Sequence, residues 1–424
     1  MRILIVNTSE QTGGAAVASN RLLKALNKMG VEAKMLVREK ETDNANVIKL
    51  HKHYLQKIYF LFERLCIFFN LHFRKKHLFE IDIANSGNDI TSLSVFKKSD
   101  VIHLAWINQG MLSLNSIKKI ITSDKAVVWT MHDLWPATSI CHYPKRCKRY
   151  ESSCQHCPIL PANGSEKDLS AKIWAKKNKV YNSGHIYFVT CSKWLCKEAK
   201  HSSLLKEHTI QSIPNPIDTH FFKPLDKHEA RKKLNLPNDK NIILFVSQRV
   251  TDNRKGMDLF IEAINHIAKE FPEIKKNSCI AILGGHAEEI ASQLSLPTYP
   301  LGYVSDKENI RDVYNAANVF VLPTREDNLP NTIMEAMACG VPCVSFKVGG
   351  IPEMIDHLHN GYVAKEHNPQ DLAQGIKWVL NNANYTQLST AAIEKVIHTY
   401  SERNVAEQYI NLYYEALAYK NYKL

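Results

Sequence analysis

One alternation dominates this sequence: short apolar segments typical of buried strands are followed by amphipathic helical segments, and the pattern restarts in the second half. Ile3–Val6 is the first such strand, and residues 15–29 form the first helical pattern, which Gly30 ends. This alternation predicts parallel sheets covered by helices on both faces. Because 424 residues exceed what one core usually organises, and the pattern restarts after Pro214-Asn215-Pro216, we expect two α/β domains.

Further segments of both kinds define the domains. Strands are predicted at Ala33–Val37, Val101–Leu104, Ala126–Thr130, Ile186–Thr190, Ile242–Val246, Cys279–Leu283, Val319–Leu322 and Cys343–Phe346, and helices at Met257–Glu270, Thr332–Cys339, Gln370–Leu380 and Glu402–Leu417. The resulting division is an N-terminal domain (1–213) with a cysteine-rich loop (141–157), a linker (214–240), a C-terminal domain (241–400) and a final helix (401–424), with packing of that helix on the N-terminal domain left open.

The composition narrows the possible partners. The net charge of +12 favours anionic partners such as nucleic acid, acidic lipid or phosphorylated ligands, or serves solubility alone. Nucleic acid is not expected, because Lys and Arg are scattered and form no known binding module. Met1–Thr8 is a strand pattern rather than a signal peptide, and no apolar run is long enough to span a bilayer. We therefore expect a cytoplasmic protein.

Open parallel sheets bind ligands at the carboxyl ends of their strands. The first strand is followed by Gly13-Gly14, where backbone N–H groups can approach an anionic ligand closely, although a tight turn explains the pair equally well. In the second domain, Arg249 and Lys255 follow the first strand and precede a helix. Two cations there can neutralise a diphosphate; alternatively, both are solvated surface charges.

The segment Pro323–Pro342 is the richest in chemically active residues. A strand ends before it, an acidic loop follows, and a short helix then carries Glu335. Asp327 and Glu335 are separated by seven residues, and carboxylates accept hydrogen bonds from the vicinal hydroxyls of a ribose or hexose. Glu335 has apolar neighbours in sequence, so its burial is costly without a partner. The simpler alternative is that Glu335 caps or pairs on its own helix.

This segment resembles the C-terminal signature of the retaining glycosyltransferases of family 4, which have the GT-B fold: an acidic residue, seven residues, Glu, then Ala-Met-Ala-x-Gly-x-Pro. The resemblance covers most of the chain and includes Gly13-Gly14-Ala15, His132-Asp133, Ser192, Asn215–Asp218, Arg249, Lys255-Gly256 and Gly349–Glu353. It implies two Rossmann-like domains that face a central cleft. It also suggests a role of the bacterial polysaccharide-biosynthesis type.

The resemblance implies a role for individual residues. Gly14 supports the donor phosphates, Arg249 and Lys255 hold the departing diphosphate, and Glu335 binds the donor ribose. Asp327, where many members have Glu, contacts the transferred sugar, and His132 lies near sugar and acceptor. The catalytic set is His132, Arg249, Lys255 and Asp327, and the donor-binding set is Gly13, Gly14, Arg249, Lys255, Glu326, Asp327, Asn328, Leu329 and Glu335. The residues alone favour a structural hydrogen bond from His132 to the backbone, and it is the resemblance that favours the functional role.

The reaction implied is transfer of a sugar from a nucleotide diphosphate donor to a hydroxyl of a glycan or lipid-linked acceptor, with retention of anomeric configuration. Because no Asp-x-Asp motif is evident, we expect no cofactor to be required for catalysis. The alternatives are a GT-B-like sugar-nucleotide epimerase, a basic nucleic-acid-binding protein and a noncatalytic sugar-binding protein.

Two segments remain outside this interpretation. Residues 54–79 combine many aromatic residues with Lys57, Arg64, Arg74, Lys75 and Lys76. They form either an interfacial segment on the anionic inner face of the cell membrane, or a core helix with a basic turn. The other segment holds four cysteines, Cys141, Cys147, Cys154 and Cys157. We expect a structural zinc site there, in which His142 or His156 could replace one thiolate, with disulfides and free thiols as alternatives.

Overall fold

The computed structural model describes residues 1–50 and 53–423. The chain divides into two compact units: Met1–Pro216 together with Glu402–Leu424, and Ile217–Ser401. Residues 51, 52 and 424, which the predicted domains include, lie outside the described residues.

The first unit is built on a seven-stranded parallel sheet in the order β3-β2-β1-β4-β5-β6-β7. Its strands are β1 (Arg2–Ser9), β2 (Glu32–Glu39), β3 (Val47–Lys49), β4 (Val101–Leu104), β5 (Ala126–Met131), β6 (Tyr187–Thr190) and β7 (Thr209–Ser212). Its helices include α1 (Gly14–Lys28), α2 (His53–Asn70), α3 (Ser94–Lys98), α4 (Leu114–Ile121), α5 (Leu169–Tyr181) and α6 (Lys193–His201), with short 3₁₀ turns at Arg149–Glu151 and Pro161–Asn163. The strand order reverses between β1 and β4, where such sheets bind ligands.

The second unit is built on a six-stranded parallel sheet in the order β10-β9-β8-β11-β12-β13. Its strands are β8 (Asn241–Arg249), β9 (Ser278–Gly285), β10 (Thr298–Gly302), β11 (Val319–Leu322), β12 (Cys343–Phe346) and β13 (Gly361–Ala364). Its helices are α7 (Lys227–Lys233), α8 (Met257–Glu270), α9 (Pro272–Asn277), α10 (Ala287–Ala291), α11 (Lys307–Ala316), α12 (Asn331–Ala338), α13 (Ile351–Met354), α14 (Pro369–Leu380) and α15 (Tyr385–Tyr400), with a 3₁₀ turn at Asn253–Lys255. The final helix, α16 (Glu402–Lys423), belongs to the first unit. Two Rossmann-like parallel-sheet folds, as expected from the alternation, are confirmed.

The central strands are buried on both faces, which explains their continuous apolar sequences. All residues of β1 after Arg2 are buried, and so is every residue of β11. The final helix α16 covers part of the first sheet through two buried tyrosines. The Tyr413 hydroxyl lies 2.6 Å from His103 Nδ1, and the Tyr409 hydroxyl lies 2.9 Å from Thr130 Oγ1.

The segment predicted as a linker, 214–240, differs from that expectation from residue 217 onward, because 217–240 belong to the second unit. The segment is rich in charged residues, yet one of them is buried and attaches the segment to the second unit. Arg231 in α7 is buried, and its guanidinium donates to the carbonyl of Ala316 (2.9 Å) and to Asn318 Oδ1 (2.6 Å). In the parts of the chain that the structure describes, none of the helices combines the length and apolar character needed to cross a membrane.

Candidate functional site

In the second unit, the loops after β8 and β11 bring three charged side chains together. Lys255 Nζ lies 2.6 Å from Asp327 Oδ2, and Arg254 donates to the same oxygen over 3.2 Å. Burial raises the pKa of Asp327, but Lys255 and Arg254 outweigh that effect and hold its pKa below the ordinary value. Asp327 is therefore an ionised carboxylate that neutralises two cations.

Two glycines allow these loops to approach each other. Gly256 has a φ of +72°, and a Cβ added there would lie 1.9 Å from the carbonyl oxygen of Pro323. Gly349 has a φ of +52°, and a Cβ there would lie 1.7 Å from the carbonyl oxygen of Asp327. A side chain at Gly256 would push apart the loops after β8 and β11, and one at Gly349 would push the Asp327 loop away from the segment after β12.

Helix α12 supplies the second carboxylate of this region. Glu335 is buried, and its Oε2 accepts a hydrogen bond from the hydroxyl of Tyr314 (2.9 Å), so the partner that its burial requires is present. The helix begins after Pro330 without a side-chain cap. Thr332 Oγ1, in its first turn, is buried and has no hydrogen-bond partner among the described residues. An uncapped N-terminus with an unsatisfied hydroxyl is a favourable place for an anion.

The remaining predicted donor-binding residues lie around the same loop. Arg249 ends β8 with an exposed side chain. The backbone carbonyl of Glu326 accepts from Arg254 (3.0 Å), and that of Asn328 accepts from the Gly350 N–H (3.0 Å). Leu329 is buried. These predicted residues follow two neighbouring strands of one sheet: Arg249 at the end of β8, Lys255 in the turn after it, Glu326, Asp327, Asn328 and Leu329 in the loop after β11, and Glu335 on α12.

In the first unit, Gly13 and Gly14 lie at the start of α1, after the carboxyl end of β1. A Cβ built on Gly13 meets no atom within 4 Å, so the space in front of this turn is open. Helix α1 has no side-chain cap. The preceding turn is fixed by Glu41, whose Oε1 accepts from the backbone N–H groups of Gln11 (3.2 Å) and Thr12 (3.1 Å).

His132 directly follows β5. Its Nδ1 lies 3.5 Å from the Cys191 thiol. Burial lowers the pKa of His132 to about 4, although Asp133 acts in the opposite direction. The imidazole is therefore neutral near pH 7 and can exchange hydrogen bonds with a hydroxyl.

Asp133, by contrast, is engaged by its own neighbours. Its carboxylate accepts from the backbone N–H of Trp135 (2.8 Å) and from Trp106 Nε1 (3.1 Å), and its Oδ2 lies 2.8 Å from His142 Nδ1. The other ring nitrogen of His142 lies 2.6 Å from Asp82 Oδ2. Burial lowers the pKa of His142, but the two carboxylates more than offset this and raise it to about 10.

The network around His142 corrects one expectation and adds residues that the sequence did not reveal. Both ring nitrogens of His142 are hydrogen-bonded to carboxylates, so neither nitrogen is available to bind zinc. Asp82 also pairs with the guanidinium of Arg64. Arg64, Asp82 and His142 are far apart in the chain, so no sequence pattern connects them.

The four clustered cysteines line one small cavity with Pro144 and Tyr150. Each thiol is free, and burial raises the pKa of Cys154 to about 11. His156 does not line this cavity. Within residues 1–50 and 53–423, no three His, Cys, Asp or Glu side chains are arranged as for a bound metal ion. The structural zinc site stays a prediction.

Sequence comparison relates this chain to known glycosyltransferases. Residues 226–396 match the family model "Glycosyl transferases group 1". An uncharacterized glycosyltransferase from Methanocaldococcus jannaschii is 26% identical over 79% of this chain and 89% of its own. The chain spans only 37% to 56% of the length of other curated relatives that it matches. These matches support a glycosyltransferase.

Solved structures agree over the whole chain. Sucrose-phosphate synthase from Thermosynechococcus elongatus has a TM-score of 0.67 at 18% identity and covers 99% of both chains. Anabaena HepE in complex with UDP-glucose has a TM-score of 0.61 at 16% identity and covers 100% of both. The fold is GT-B. The sequence prediction of this GT-B fold is confirmed, whereas the roles of the individual site residues stay predictions.

Two residues of the site, Arg254 and Thr332, carry little signal in the sequence. Arg254 immediately precedes Lys255, and the resemblance assigns one cation to that position. Thr332 lies three residues before Glu335 and shows no sequence signal beyond its place at a predicted helix start.

Proposed function

We propose that this chain transfers a sugar from a nucleotide diphosphate donor to a hydroxyl of a glycan or lipid-linked acceptor, with retention at the anomeric carbon. The observation that carries the proposal is the meeting of Lys255 and Arg254 on Asp327, beside the uncapped start of α12. The complex of Anabaena HepE with UDP-glucose supports a nucleotide-sugar donor. We also propose that this reaction is a step in the synthesis of a cell-surface polysaccharide.

The cations have a direct role in the proposed reaction. The bond from the anomeric carbon to the phosphate oxygen breaks, and negative charge grows on the diphosphate. Lys255, Arg254 and Arg249 stabilise that charge more in the transition state than in the bound donor, which is how such groups accelerate a reaction. With three cations and the α12 amides available, the chemistry requires no metal at the phosphates.

The carboxylates and His132 are assigned to the sugars. Asp327 can exchange its cation partners for hydroxyls of the transferred sugar, and Glu335 can accept from the donor ribose. The acceptor oxygen bonds to the anomeric carbon on the face that the diphosphate leaves, and its proton passes to the departing phosphate oxygen. A neutral His132 is suited to orient the acceptor hydroxyl.

A donor screen tests the proposal. Purified protein is incubated with UDP-, GDP- and ADP-sugars, with and without a panel of glycan and polyprenyl-phosphate-linked acceptors, and released nucleotide diphosphate is measured. We expect acceptor-dependent release from at least one donor, and NMR should show a product with the donor's anomeric configuration. An inverted product would exclude retention. Conversion of donor to an epimer without acceptor would favour the epimerase, and binding without turnover would favour a noncatalytic protein.

A further inference from the structure

Helix α2 carries an exposed apolar face. Counted at about 100° per residue, its exposed apolar side chains fall within an arc of about 100°. We call the α2 face the set Tyr54, Ile58, Leu61, Phe62, Leu65 and Phe69, which are between 50% and 65% exposed. Among the described residues, eight of fifteen exposed large hydrophobic residues are this set with Phe73 and Phe79. Contiguous patches of this kind mark interaction sites.

The opposite side of α2 is attached to the first unit by polar groups as well as by apolar ones, among them Ile67, which is fully buried. Glu63 is fully buried, and its Oε1 accepts from the backbone N–H groups of Ile83 (2.8 Å) and Ala84 (2.7 Å). Arg64 donates to the carbonyl of Leu78 (2.7 Å). A surface helix normally buries its apolar stripe and exposes its charges. In α2 the buried side includes two charged residues, Glu63 and Arg64, while a wide apolar stripe faces solvent.

The turn after α2 continues the face and adds positive charge. Phe73 packs edge-on against Phe69, with ring centroids 5.2 Å apart, and is 63% exposed. Arg74, Lys75 and Lys76 follow, all exposed, and Lys57 is exposed on the helix itself. Glu63 is the single acidic residue in 54–79, and it is buried. The exposed charge of this segment is therefore entirely positive.

We propose that the α2 face and the basic turn 74–76 dock on the surface of an anionic bilayer, with α2 lying in the plane of the interface. Aromatic and aliphatic side chains enter the boundary between headgroups and acyl chains, while the basic turn meets lipid phosphates. Charge complementarity selects this occupant: a second copy of the chain would place two positive turns together, whereas acidic lipid neutralises them. Such docking would bring a lipid-linked acceptor to the first unit.

Vesicle flotation tests the proposal on the full-length protein. The vesicles contain equal parts of phosphatidylglycerol and phosphatidylcholine, and phosphatidylcholine vesicles serve as the comparison. We expect binding to the anionic vesicles that weakens as salt rises. The triple variant Leu61→Ser/Phe62→Ser/Leu65→Ser should bind at least about tenfold more weakly. Arg74→Gln/Lys75→Gln/Lys76→Gln should lose about a hundredfold at low salt.

Matched controls keep the result specific. Tyr303→Ser/Ile397→Ser/Tyr414→Ser removes exposed apolar side chains elsewhere, and Lys269→Gln/Lys275→Gln/Lys276→Gln removes exposed lysines elsewhere; both should bind as the wild type does. Absence of wild-type binding, or equal loss in test and control variants, would overturn the proposal. So would a dimer in sedimentation that the α2 variant converts to a monomer without any vesicle binding. Flotation requires neither donor nor acceptor, so its outcome is independent of the transfer assay.

Discussion

The two units of this chain differ in how far their paired charged side chains are exposed to solvent. In the second unit, Asp327 pairs with Lys255 and Arg254, whose side chains are 17% and 32% exposed. In the first unit, His142 lies between Asp82 and Asp133, and none of these three side chains is more than 10% exposed. The charged groups around Asp327 are therefore partly exposed to solvent, whereas those around His142 are enclosed.

This difference separates a binding role from a structural one. Partly exposed cations can exchange a carboxylate for an incoming diphosphate, because water shares the cost of separating the pair. Enclosed charges cannot be separated without leaving one of them desolvated and unpaired. The loops of the second unit are therefore suited to ligand exchange, whereas the network of the first unit holds the segment after β5 in a fixed shape.

The largest effect is predicted for the four thiols that line one small cavity of the first unit. If zinc closes this cavity, its binding free energy is part of the folding free energy, on the order of 10 kcal/mol in small zinc domains. Cys154→Ser should then destabilise the first unit more than any other substitution discussed here, without selectively slowing the reaction. Cys196→Ser, a half-buried cysteine in α6, is the matched control and should change little.

Metal analysis of protein purified under reducing conditions decides this prediction. We expect about one equivalent of zinc per chain for a closed structural site. Less than about a tenth of an equivalent of zinc or iron in folded, active protein would exclude the site. Mass spectrometry without reductant then distinguishes disulfides from free thiols.

The network around His142 should give the next largest effect. Asp82→Asn keeps the side-chain shape but leaves Arg64 and His142 short of one carboxylate, which should cost about 3–5 kcal/mol of unfolding free energy. Asp89→Asn is the control, because the Asp89–Lys119 pair is exposed and should contribute about 0–1 kcal/mol. Urea unfolding followed by tryptophan fluorescence reports on the first unit, which holds five of the six tryptophans. Equal losses in both variants would contradict the distinction between enclosed and exposed charge.

Loss of a cation in the second unit should affect catalysis rather than stability. Lys255→Ala should lower kcat/KM about 100- to 1,000-fold, as for removal of one group that stabilises transition-state charge. Lys276→Ala, which removes an exposed lysine of the same unit, should leave the rate unchanged. The measurement is nucleotide diphosphate release with the donor found in the screen. Near-normal turnover by Lys255→Ala would remove Lys255 from the proposed mechanism.

How far the sequence could predict these units depended on burial. Strands such as β1 and β11 are buried along their length and were evident as apolar runs. Strands β7 and β10 were not predicted, because they are only partly buried at sheet edges and lack an apolar run. The segment 54–79 left two interpretations open, since periodicity shows that a helix has an apolar face but not whether that face points inward.

The candidate site shows the same limit. The need of Glu335 for a buried partner followed from its apolar neighbours, but the identity of that partner, Tyr314, required the fold. The pairing of Arg254 with Asp327 joins residues 73 positions apart. Contacts across such distances leave no trace in a single sequence without a family motif, and the motif includes Lys255 but not Arg254.

The smallest predicted effect is the acid sensitivity that His208 gives to the first unit. Burial lowers the pKa of His208 to about 4, with a further lowering by His185. Because the folded pKa lies below the unfolded value of about 6.5, the unfolded state takes up the proton first as pH falls. The stability that a neutral His208 contributes is fully present above about pH 6.5 and is lost progressively as pH falls towards 4.

Asp327 also has a lowered pKa, but the pH range over which its contribution is lost begins near the ordinary carboxyl pKa, below about pH 4. The contribution of His208 should therefore be lost at a higher pH than that of Asp327. His208→Asn should flatten the pH dependence of first-unit stability between pH 6.5 and 4 by at most about 1.4 kcal/mol per pH unit. Tryptophan fluorescence at a series of pH values measures this slope. His266→Asn, in the second unit, should leave it unchanged, and identical slopes for His208→Asn and the wild type would show that His208 does not contribute.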